Sequence, residues 1–393
     1  STYYVNVYEL NGSSGTENYL TSSFIATSRM TGNAAKATGL WSATGTWQSG
    51  VVPTSSENVI IASPYTVTAD AATQSCLNLN VENGATLKGN GSNASQKTLG
   101  IYGSSITNNG TLGIVDPVTP ANDGTDGLTF TIYNSSGTTT FSGSGTANLC
   151  RIIPGALVPE LRFTGAGVTL FYNATCYQVA PSASAIFQKT TIDVNSTFTT
   201  KNTFAMASGN TIESAGNWAV DVYGTLNVYT TFTLLTGSSF TGVLTVKSGG
   251  TVNHLGGTIR TASTSSSTLP SIVVDGTLNL YSTVNADFST NPSLVITGSG
   301  TVELKSGAKM SIGNTAGISA LGTASGVIQT TGGRVYSTSA YYTYSGTSAQ
   351  VTGNGLPSTV NTLTINNSAG VTLSSSATVT NSLALSSGIL HLG

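Results

Sequence analysis

The acidic residues are the first candidates for catalysis, because glycoside hydrolases use two carboxylates set about 5–10 Å apart. The chain has 15 acidic residues, and most of them stand isolated in the sequence. Asp221 and Asp275, for example, are far apart along the chain, and the charged residue near their midpoint is Lys247. The sequence therefore does not predict an enzyme, and a polysaccharide lyase or glycoside hydrolase is kept as the alternative function.

Three acids, Asp116, Asp123 and Asp126, form the one dense group in the sequence, within a stretch that is rich in Pro, Gly and Thr. Ca²⁺ binds about six to eight oxygens, which carboxylates and carbonyls on a turn can supply. The spacing matches no EF-hand loop, no Lys or Arg gathers there as a lyase base, and Pro, Gly and Asp are also ordinary loop residues. We expect a surface loop and no cofactor, with a calcium site as the alternative.

The tyrosines suggest a different chemistry, which is the stacking of sugar rings on aromatic side chains. Tyr341, Tyr342 and Tyr344 lie together in one short segment, and Tyr229 and Tyr281 follow similar sequence units. These residues are candidates for a glycan platform. Because Tyr also favours strands, ordinary strand composition explains them equally well.

Charged residues are scarce, and their low number argues against several classes of protein. Lys+Arg number 13 and Asp+Glu 15, so 7% of the chain is charged and the formal net charge is −2. The basic residues are spread singly, which argues against a nucleic-acid partner, and the short apolar runs argue against membrane insertion. Hydrophobic residues make up 38%, too many for a disordered chain. Good helix formers are few, so the composition indicates an all-β protein with a polar, uncharged surface.

A Gly-Thr unit followed by alternating apolar residues recurs along the chain. It begins at Gly224, Gly250, Gly276 and Gly300, so its steps are almost equal. A period of this length predicts a solenoid, in which each turn buries its apolar face by stacking on its neighbours. The predicted fold is an all-β, right-handed parallel β-helix. A pair of β-sandwiches, the alternative, would not give four evenly spaced units.

Alternation within the units assigns each residue to one side of its strand. Two columns are predicted to point inward: Leu226, Val252, Leu278 and Val302, and then Val228, His254, Leu280 and Leu304. One column is predicted to point outward, with its amides forming a hydrogen-bonded ladder: Asn227, Asn253, Asn279 and Glu303. His254 is accordingly expected to be a core residue, and His391 to be exposed.

The repeat period also divides the chain into an N-terminal segment without repeats and a long repetitive segment. Residues 1–40 do not follow it and are predicted to be an N-terminal cap or a partner-binding arm, with a short helix or loop at 28–39. Residues 41–393 leave room for roughly 14 turns, which at about 4.8 Å per turn make a rod about 65–70 Å long. Spacing is irregular between Asp116 and Asn210, where insertions are expected.

The three cysteines make neither a disulfide framework nor a zinc motif. Cys150 and Cys176 are separated by the same interval as Gly224 and Gly250, which is one turn. Stacked strands bring equivalent residues to about 4.8 Å, within the range of a disulfide. We therefore predict that Cys150 and Cys176 are neighbours and that Cys76 is unpaired.

Two groups of motifs resemble a known class of proteins. The first is Trp41-Ser-Ala-Thr-Gly-Thr-Trp47, followed by Gly50-Val-Val-Pro53 and Asn58-Val-Ile-Ile61, and the second includes Asn361-Thr-Leu-Thr-Ile365 and Gly370-Val-Thr-Leu373. Together they resemble the large secreted β-helical surface proteins of Bacteroidota, which are commonly cargo of the type IX secretion system. The resemblance implies secretion, a parallel β-helix and an adhesive role at the cell surface.

The predicted function is an extracellular or cell-surface rod with structural and adhesive roles, whose partners are glycans or other copies of the chain. The last turn is predicted to be covered, either by further turns of a longer chain or by an N-terminal strand of the next copy, which would give head-to-tail filaments. The residues assigned to this contact are Leu390 and Leu392 in the last turn, and Tyr3, Tyr4, Val5 and Val7 in the donor strand.

Overall fold

The computed structural model describes residues 10–11, 18–19, 30–90, 97–113, 128–165, 167–170, 186–200, 204–206, 218–229, 232–236, 242–263, 271–289 and 293–393. Strands account for nearly all regular structure in these residues. The one helix among them is a single 3-10 turn at Thr44–Thr46. The all-β prediction is confirmed.

The strands are short, and we number them in chain order. The first fourteen are β1 Leu10–Asn11, β2 Asn18–Tyr19, β3 Asn33–Ala34, β4 Gly39–Leu40, β5 Val59–Ile61, β6 Thr66–Ala69, β7 Thr73–Cys76, β8 Leu79–Val81, β9 Thr86–Gly89, β10 Lys97–Ile101, β11 Ser105–Asn108, β12 Thr111–Leu112, β13 Leu128–Ile132 and β14 Thr138–Ser142. The next fourteen are β15 Thr146–Leu149, β16 Arg151–Pro154, β17 Leu157–Val158, β18 Glu160–Thr164, β19 Gly167–Leu170, β20 Ile186–Phe187, β21 Lys189–Ile192, β22 Thr197–Thr200, β23 Phe204–Met206, β24 Trp218–Val222, β25 Thr225–Val228, β26 Phe232–Thr236, β27 Gly242–Val246 and β28 Thr251–His254. The last fourteen are β29 Gly257–Ser263, β30 Ser271–Val274, β31 Thr277–Leu280, β32 Val284–Phe288, β33 Ile296–Thr297, β34 Thr301–Leu304, β35 Lys309–Ile312, β36 Gly333–Tyr336, β37 Tyr341–Tyr344, β38 Gln350–Val351, β39 Thr359–Asn366, β40 Val371–Thr372, β41 Thr378–Ser387 and β42 Leu390–His391.

Successive strands pass around three long sides. The first side is an eleven-strand sheet running from β3 to β33, and the second is a twelve-strand sheet running from β4 to β36. The third side is a four-strand sheet, β7-β10-β13-β16, in the N-terminal turns and an eight-strand sheet from β23 to β41 in the later turns. Apart from β1 with β2, these strands pair in parallel with the strands one turn away. The fold is therefore a parallel β-helix.

The predicted register is confirmed in the regular turns. Leu226 pairs with Val252, Val252 with Leu278, and Leu278 with Val302, and all four side chains are buried. The second inward column is also buried, so His254 stacks between Val228 and Leu280 in the core. Each turn thus adds one layer to a continuous core, because alternate residues of every strand face the inside.

The glycine that opens each unit is required by close approach of the backbone. A Cβ on Gly276 would collide with the carbonyl oxygen of Gly250, and one on Gly300 would collide with that of Gly276. The next residue of these two units donates its N–H to the same glycine carbonyl, Thr277 to Gly250 at 2.9 Å and Thr301 to Gly276 at 2.8 Å. The corner between the first two sides therefore admits only glycine at these positions.

The end of the predicted cap segment, from Asn33 onward, already belongs to the solenoid. β3 pairs with β5 and β4 pairs with β6, so the first turn begins at Asn33, inside the segment predicted as a cap. Of the segment 28–39, which was expected to be a short helix or loop, the described residues 30–39 contain β3, the start of β4 and otherwise irregular backbone, and no helix. Trp41 and Trp47 are fully buried with their rings edge to face at 5.0 Å, and they close this end of the core.

The turns differ in length, both in the middle of the chain, where irregular spacing was predicted, and near its C-terminal end. The turn from Leu112 to Ala147 is much longer than the next one, from Ala147 to Val168. The last turns are short, as shown by the pairing of Leu363 with Leu383. After β36 no strand of the chain belongs to the twelve-strand sheet. β38, β40 and β42 form a separate three-strand sheet there.

Replacing Leu278 by Asp tests the register. The change puts an unpaired carboxylate into the core column, which we expect to cost on the order of 4 kcal/mol. Because solenoids unfold locally, hydrogen exchange should accelerate mainly in β28, β31 and β34. The control is Ser282→Asp, an exposed turn position a few residues away, which should leave exchange unchanged. Equal protection in both variants would contradict the register.

Candidate ligand-binding face

The outward side of the twelve-strand sheet, which we call the ladder face, carries a column of threonines at the first position of its strands. Direct strand pairing aligns nine of them, interrupted once by Gly167: Thr66, Thr86, Thr111, Thr146, Thr197, Thr225, Thr251, Thr277 and Thr301. Neighbouring threonines are therefore about 4.8 Å apart. This column extends far beyond the four units that the sequence period identified.

A second column, two residues further along each strand, contains the predicted asparagine ladder. Asn279 donates from Nδ2 to Oδ1 of Asn253 at 2.9 Å, and Asn253 donates in the same way to Asn227 at 3.0 Å. Asn227 continues the chain by donating to Oγ1 of Thr199 at 3.3 Å. The ladder prediction is confirmed, and Glu303 follows in the next turn.

The ladder holds its amides in one orientation while leaving capacity for a ligand. An asparagine amide offers two N–H donors and two acceptor lone pairs, and the ladder uses one donor and one acceptor of Asn253. A donor and a lone pair remain at each turn, on side chains that are half-buried. Because these groups are already ordered, a ligand that binds them meets a small entropic cost.

An aromatic and aliphatic column borders the ladder at the next outward position. It contains Tyr229, Leu255, Tyr281 and Lys305, in register because Leu255 donates its N–H to the carbonyl of Val228 and Tyr281 donates to that of His254. Tyr229 is 42% exposed. Lys305 lies 5.8 Å from the centre of the Tyr281 ring and forms an ion pair with Glu303 at 2.7 Å.

The eleven-strand sheet carries a charged cluster that sequence reasoning missed. Lys189 lies between two carboxylates, with its Nζ 3.1 Å from Asp221 and 3.9 Å from Glu160. Lys247 joins the other oxygen of Asp221 at 3.3 Å. Acids that stand isolated in the sequence are therefore brought together by the fold in this region. Insertions of unequal length separate its strands, and that irregular spacing conceals the alignment.

A second ion pair lies beside this cluster. The guanidinium of Arg162 contacts Oδ2 of Asp193 through Nε at 3.0 Å and through a terminal nitrogen at 2.8 Å. The hydrogen bond to Asp193 raises the pKa of Arg162, and the hydrogen bond to Asp221 raises the pKa of Lys189. Thr191 and Thr138 donate hydroxyl hydrogen bonds to Glu160 at 2.5 and 3.0 Å. The charges of this face are thus paired with one another.

Two of the three tyrosines predicted as a glycan platform are in the core. Tyr342 pairs with the buried Met310 and Tyr344 with the buried Ile312, and both rings are fully buried. Their hydroxyls donate to the carbonyls of Ser337 and Thr352, each at 2.7 Å. Burial raises the pKa of both phenols. A platform built on these two rings is therefore wrong.

Tyr341 is the member of that segment that faces outward. It is half-buried, and Nζ of Lys309 lies 5.9 Å from the centre of its ring. Tyr341 stays a candidate for ligand contact, but its partner rings do not share its side of the strand.

The last turn exposes apolar side chains. Leu390 is half-buried, whereas Leu392 is 76% exposed. Leu383 and Leu385 on β41 are 51% and 56% exposed, although they stack directly on the buried Leu363 and Ile365. His391 is exposed, as predicted.

Several predicted residues lie outside the described part of the chain. They are Asp116, Asp123 and Asp126 of the calcium alternative, Tyr3, Tyr4, Val5 and Val7 of the donor strand, and Cys176. Cys150 is buried, and its predicted contact with Cys176 stays a prediction. Cys76 is buried with a free thiol, and burial raises its pKa.

The described residues contain no group of three or more His, Cys, Asp or Glu placed to hold a metal ion. None of their helices is long and apolar enough to cross a membrane.

Comparison with known proteins gives no relative from which a function could be transferred. No protein-family model, no curated protein and no solved structure matches this chain.

A substitution at Ser299 tests the electrostatics at the corner between the ladder face and the charged cluster. The Oδ1 atom of Asp275 accepts hydrogen bonds from the N–H of Ser299 at 2.8 Å and from its hydroxyl at 2.9 Å, and these bonds lower the pKa of Asp275. Ser299→Ala removes only the hydroxyl, so the pKa of Asp275 should rise while staying below its ordinary value.

Carboxyl NMR titration of the wild type and the Ser299→Ala variant measures this pKa directly. The ionised Asp275 stabilises the fold above its ordinary pKa, and this contribution is lost as the pH falls through the lowered value. Ser299→Thr, which keeps the hydroxyl, is the matched control. An unchanged pKa in the alanine variant would show that the side-chain hydrogen bond does not act on Asp275.

Proposed function

We propose that the protein is an extracellular or cell-surface rod with structural and adhesive roles, and that it binds surface glycans through the ladder face. The observation that carries this proposal is the hydrogen-bonded asparagine ladder, which runs beside the threonine column and is bordered by Tyr229 and Tyr281. Sugar hydroxyls both donate and accept hydrogen bonds, and the apolar faces of sugar rings stack on aromatic side chains.

The distribution of charge supports a neutral ligand. From Thr197 to Asn279 the two outward columns of the ladder face hold only threonines and asparagines. Ion pairs lie instead on the eleven-strand sheet or at its corner, where Arg162 contacts Asp193 and Asp221 contacts both Lys189 and Lys247. A polyanion would find no excess of positive charge on the ladder face.

The location outside the cell rests on composition and on the resemblance of the motifs. The low content of charge and the abundance of short polar side chains suit an extracellular surface protein, and the Trp41 to Ile61 motifs resemble secreted β-helical proteins of Bacteroidota. Export by the type IX secretion system belongs to this proposal.

An enzyme is the second candidate, because the charged cluster brings Glu160 and Asp221 close together around Lys189. Two carboxylates on one face are what a glycoside hydrolase requires, and a lysine is a suitable base for a lyase. The ammonium of Lys189, however, occupies the space between the carboxylates where a glycosidic oxygen would have to lie. The paired arrangement therefore favours a structural role for the cluster.

A panel of insoluble and soluble polysaccharides tests the adhesive function. We expect the wild type to be retained on at least one neutral polymer, and Asn253→Lys to weaken retention about tenfold or more, because the longer charged side chain interrupts the ladder. The control is Thr297→Lys, an exposed position on the eleven-strand sheet. Retention on none of the polymers would contradict the proposal, and release of reducing ends or unsaturated products would favour the enzyme.

Self-association through the last turn is a further part of this proposal. β41 is the outer strand of the eight-strand sheet and exposes Leu383 and Leu385, and the sequence carries no Lys, Arg, Asp or Glu after Arg334. Charged residues at a strand edge are a common device against pairing with another chain. β41 lacks this device, and its exposed leucines are the surface that we propose a second copy contacts.

Light scattering of the whole chain tests this contact. We expect the wild type to self-associate in a concentration-dependent manner and Leu383→Lys with Leu385→Lys to reduce the associated fraction strongly, because the charges oppose burial. The matched control is Leu321→Lys, since Leu321 is 53% exposed elsewhere on the rod. A wild type that stays monomeric at all concentrations would contradict self-association.

A further inference from the structure

The columns of the ladder face run along the axis of the β-helix, and their alignment together with their functional groups indicates which class of glycan could bind. Resting on the proposed glycan-binding function, we propose that the ligand is an extended, uncharged, β-1,4-linked polysaccharide lying along the rod axis, with alternate sugars stacked on Tyr229 and Tyr281.

The spacing of the two tyrosines carries the axial orientation. Tyr229 and Tyr281 occupy the same outward position two turns apart, with Leu255 between them. Two strand spacings place the rings about 9.6 Å apart along the axis. This is close to the length of two sugars in an extended β-1,4-linked chain. Every second sugar of such a chain presents the same ring face, so one sugar meets each tyrosine and the intervening sugar passes over Leu255.

The asparagine ladder supplies one polar contact for each sugar. Asn227, Asn253 and Asn279 lie in the same three turns as Tyr229, Leu255 and Tyr281, two residues earlier in each strand. Each amide is held by its neighbour one turn away, at 2.9 or 3.0 Å. Stacking on the aromatic column therefore directs the hydroxyl edge of successive sugars toward successive amides. A polysaccharide that crossed the face at right angles to the axis would contact only one amide of the ladder and one ring.

An ion pair lies at one end of the three turns that carry the asparagine ladder, and it accounts for the preference for a neutral polymer. Glu303 replaces asparagine in the next turn, and Lys305 replaces tyrosine, and the two side chains form an ion pair at 2.7 Å. Because Glu303 neutralises Lys305, the stretch offers no unpaired cation to an acidic sugar. Thr199 lies at the other end, where it accepts the last hydrogen bond of the ladder.

Oligosaccharides of increasing length provide the test, with affinity measured by calorimetry on the whole chain. The probes are cello- and chito-oligosaccharides of two to six sugars, with malto-oligosaccharides as the series of different linkage. Three sugars are the shortest β-1,4-linked chain that reaches both tyrosines. We therefore expect a rise in affinity of about tenfold between two and three or four sugars, from the second stacking contact.

Tyrosine variants identify the contact. Tyr281→Ala and Tyr229→Ala should each remove the length-dependent rise, because only one stacking contact remains for a chain of any length. The double variant should also bind a disaccharide more weakly than either single variant, because no tyrosine is left for it to stack on. The matched control is Tyr102→Ala, since Tyr102 is also 42% exposed but stacks on Tyr133 at another side of the rod. Circular dichroism of each variant confirms that the fold is intact.

The possible failures are distinguishable. The axial arrangement would be overturned if the affinity did not depend on chain length, or if both tyrosine variants bound as tightly as the wild type. Either result would leave glycan adhesion in place. Equal affinity for malto-oligosaccharides would overturn the β-1,4 linkage. No binding of any glycan by the wild type would overturn the proposed function itself.

Discussion

Parallel pairing of each strand with the strand one turn away is the interaction on which the rest of this structure depends. The backbone hydrogen bonds hold neighbouring strands about 4.8 Å apart, and they keep equivalent residues in line. Because the turn is closed by three sheets, a shift of one residue would move the buried column outward in all of them. The Gly-Thr corner enforces the register, since Gly276 and Gly300 lie against carbonyl groups of the preceding turn. Each outward position of a strand is therefore repeated as a column of side chains along the surface.

This constraint explains why the ladder exists at all. A single exposed asparagine contributes little, whereas three in register hydrogen-bond to one another at 2.9 and 3.0 Å. Each bond is worth about 0.5–1.5 kcal/mol at most, because water competes for the same groups on a half-exposed face. The ladder is thus a minor term in stability beside the continuous apolar core. Its larger effect is that it fixes donors and acceptors at a constant repeat along the rod.

The sequence predicted the regular part of the molecule and failed where the spacing is irregular. Between Gly224 and Leu304 the nearly equal steps of the Gly-Thr unit gave the correct inward and outward columns. Between Glu160 and Lys247 the strands are separated by unequal insertions, so the cluster around Lys189 could not be recognised before the pairing was known. Tyr342 and Tyr344 show a different limit: tyrosines occur on both sides of β37, and pairing with Met310 and Ile312 determines which are buried.

The separation of charged and uncharged faces is the feature that connects the fold to recognition. Lys189, Asp221 and Lys247 lie in successive turns of the eleven-strand sheet and neutralise each other there. The ladder face of the same turns keeps hydroxyls, amides and tyrosines. A charged side chain among them would hold tightly bound water and would have to be desolvated by any ligand. Uncharged groups release their water more easily, and a neutral polymer can replace it with many weak contacts. A face that repeats such contacts over several turns gains affinity through their number, which suits the proposed adhesion to long chains better than recognition of a small molecule.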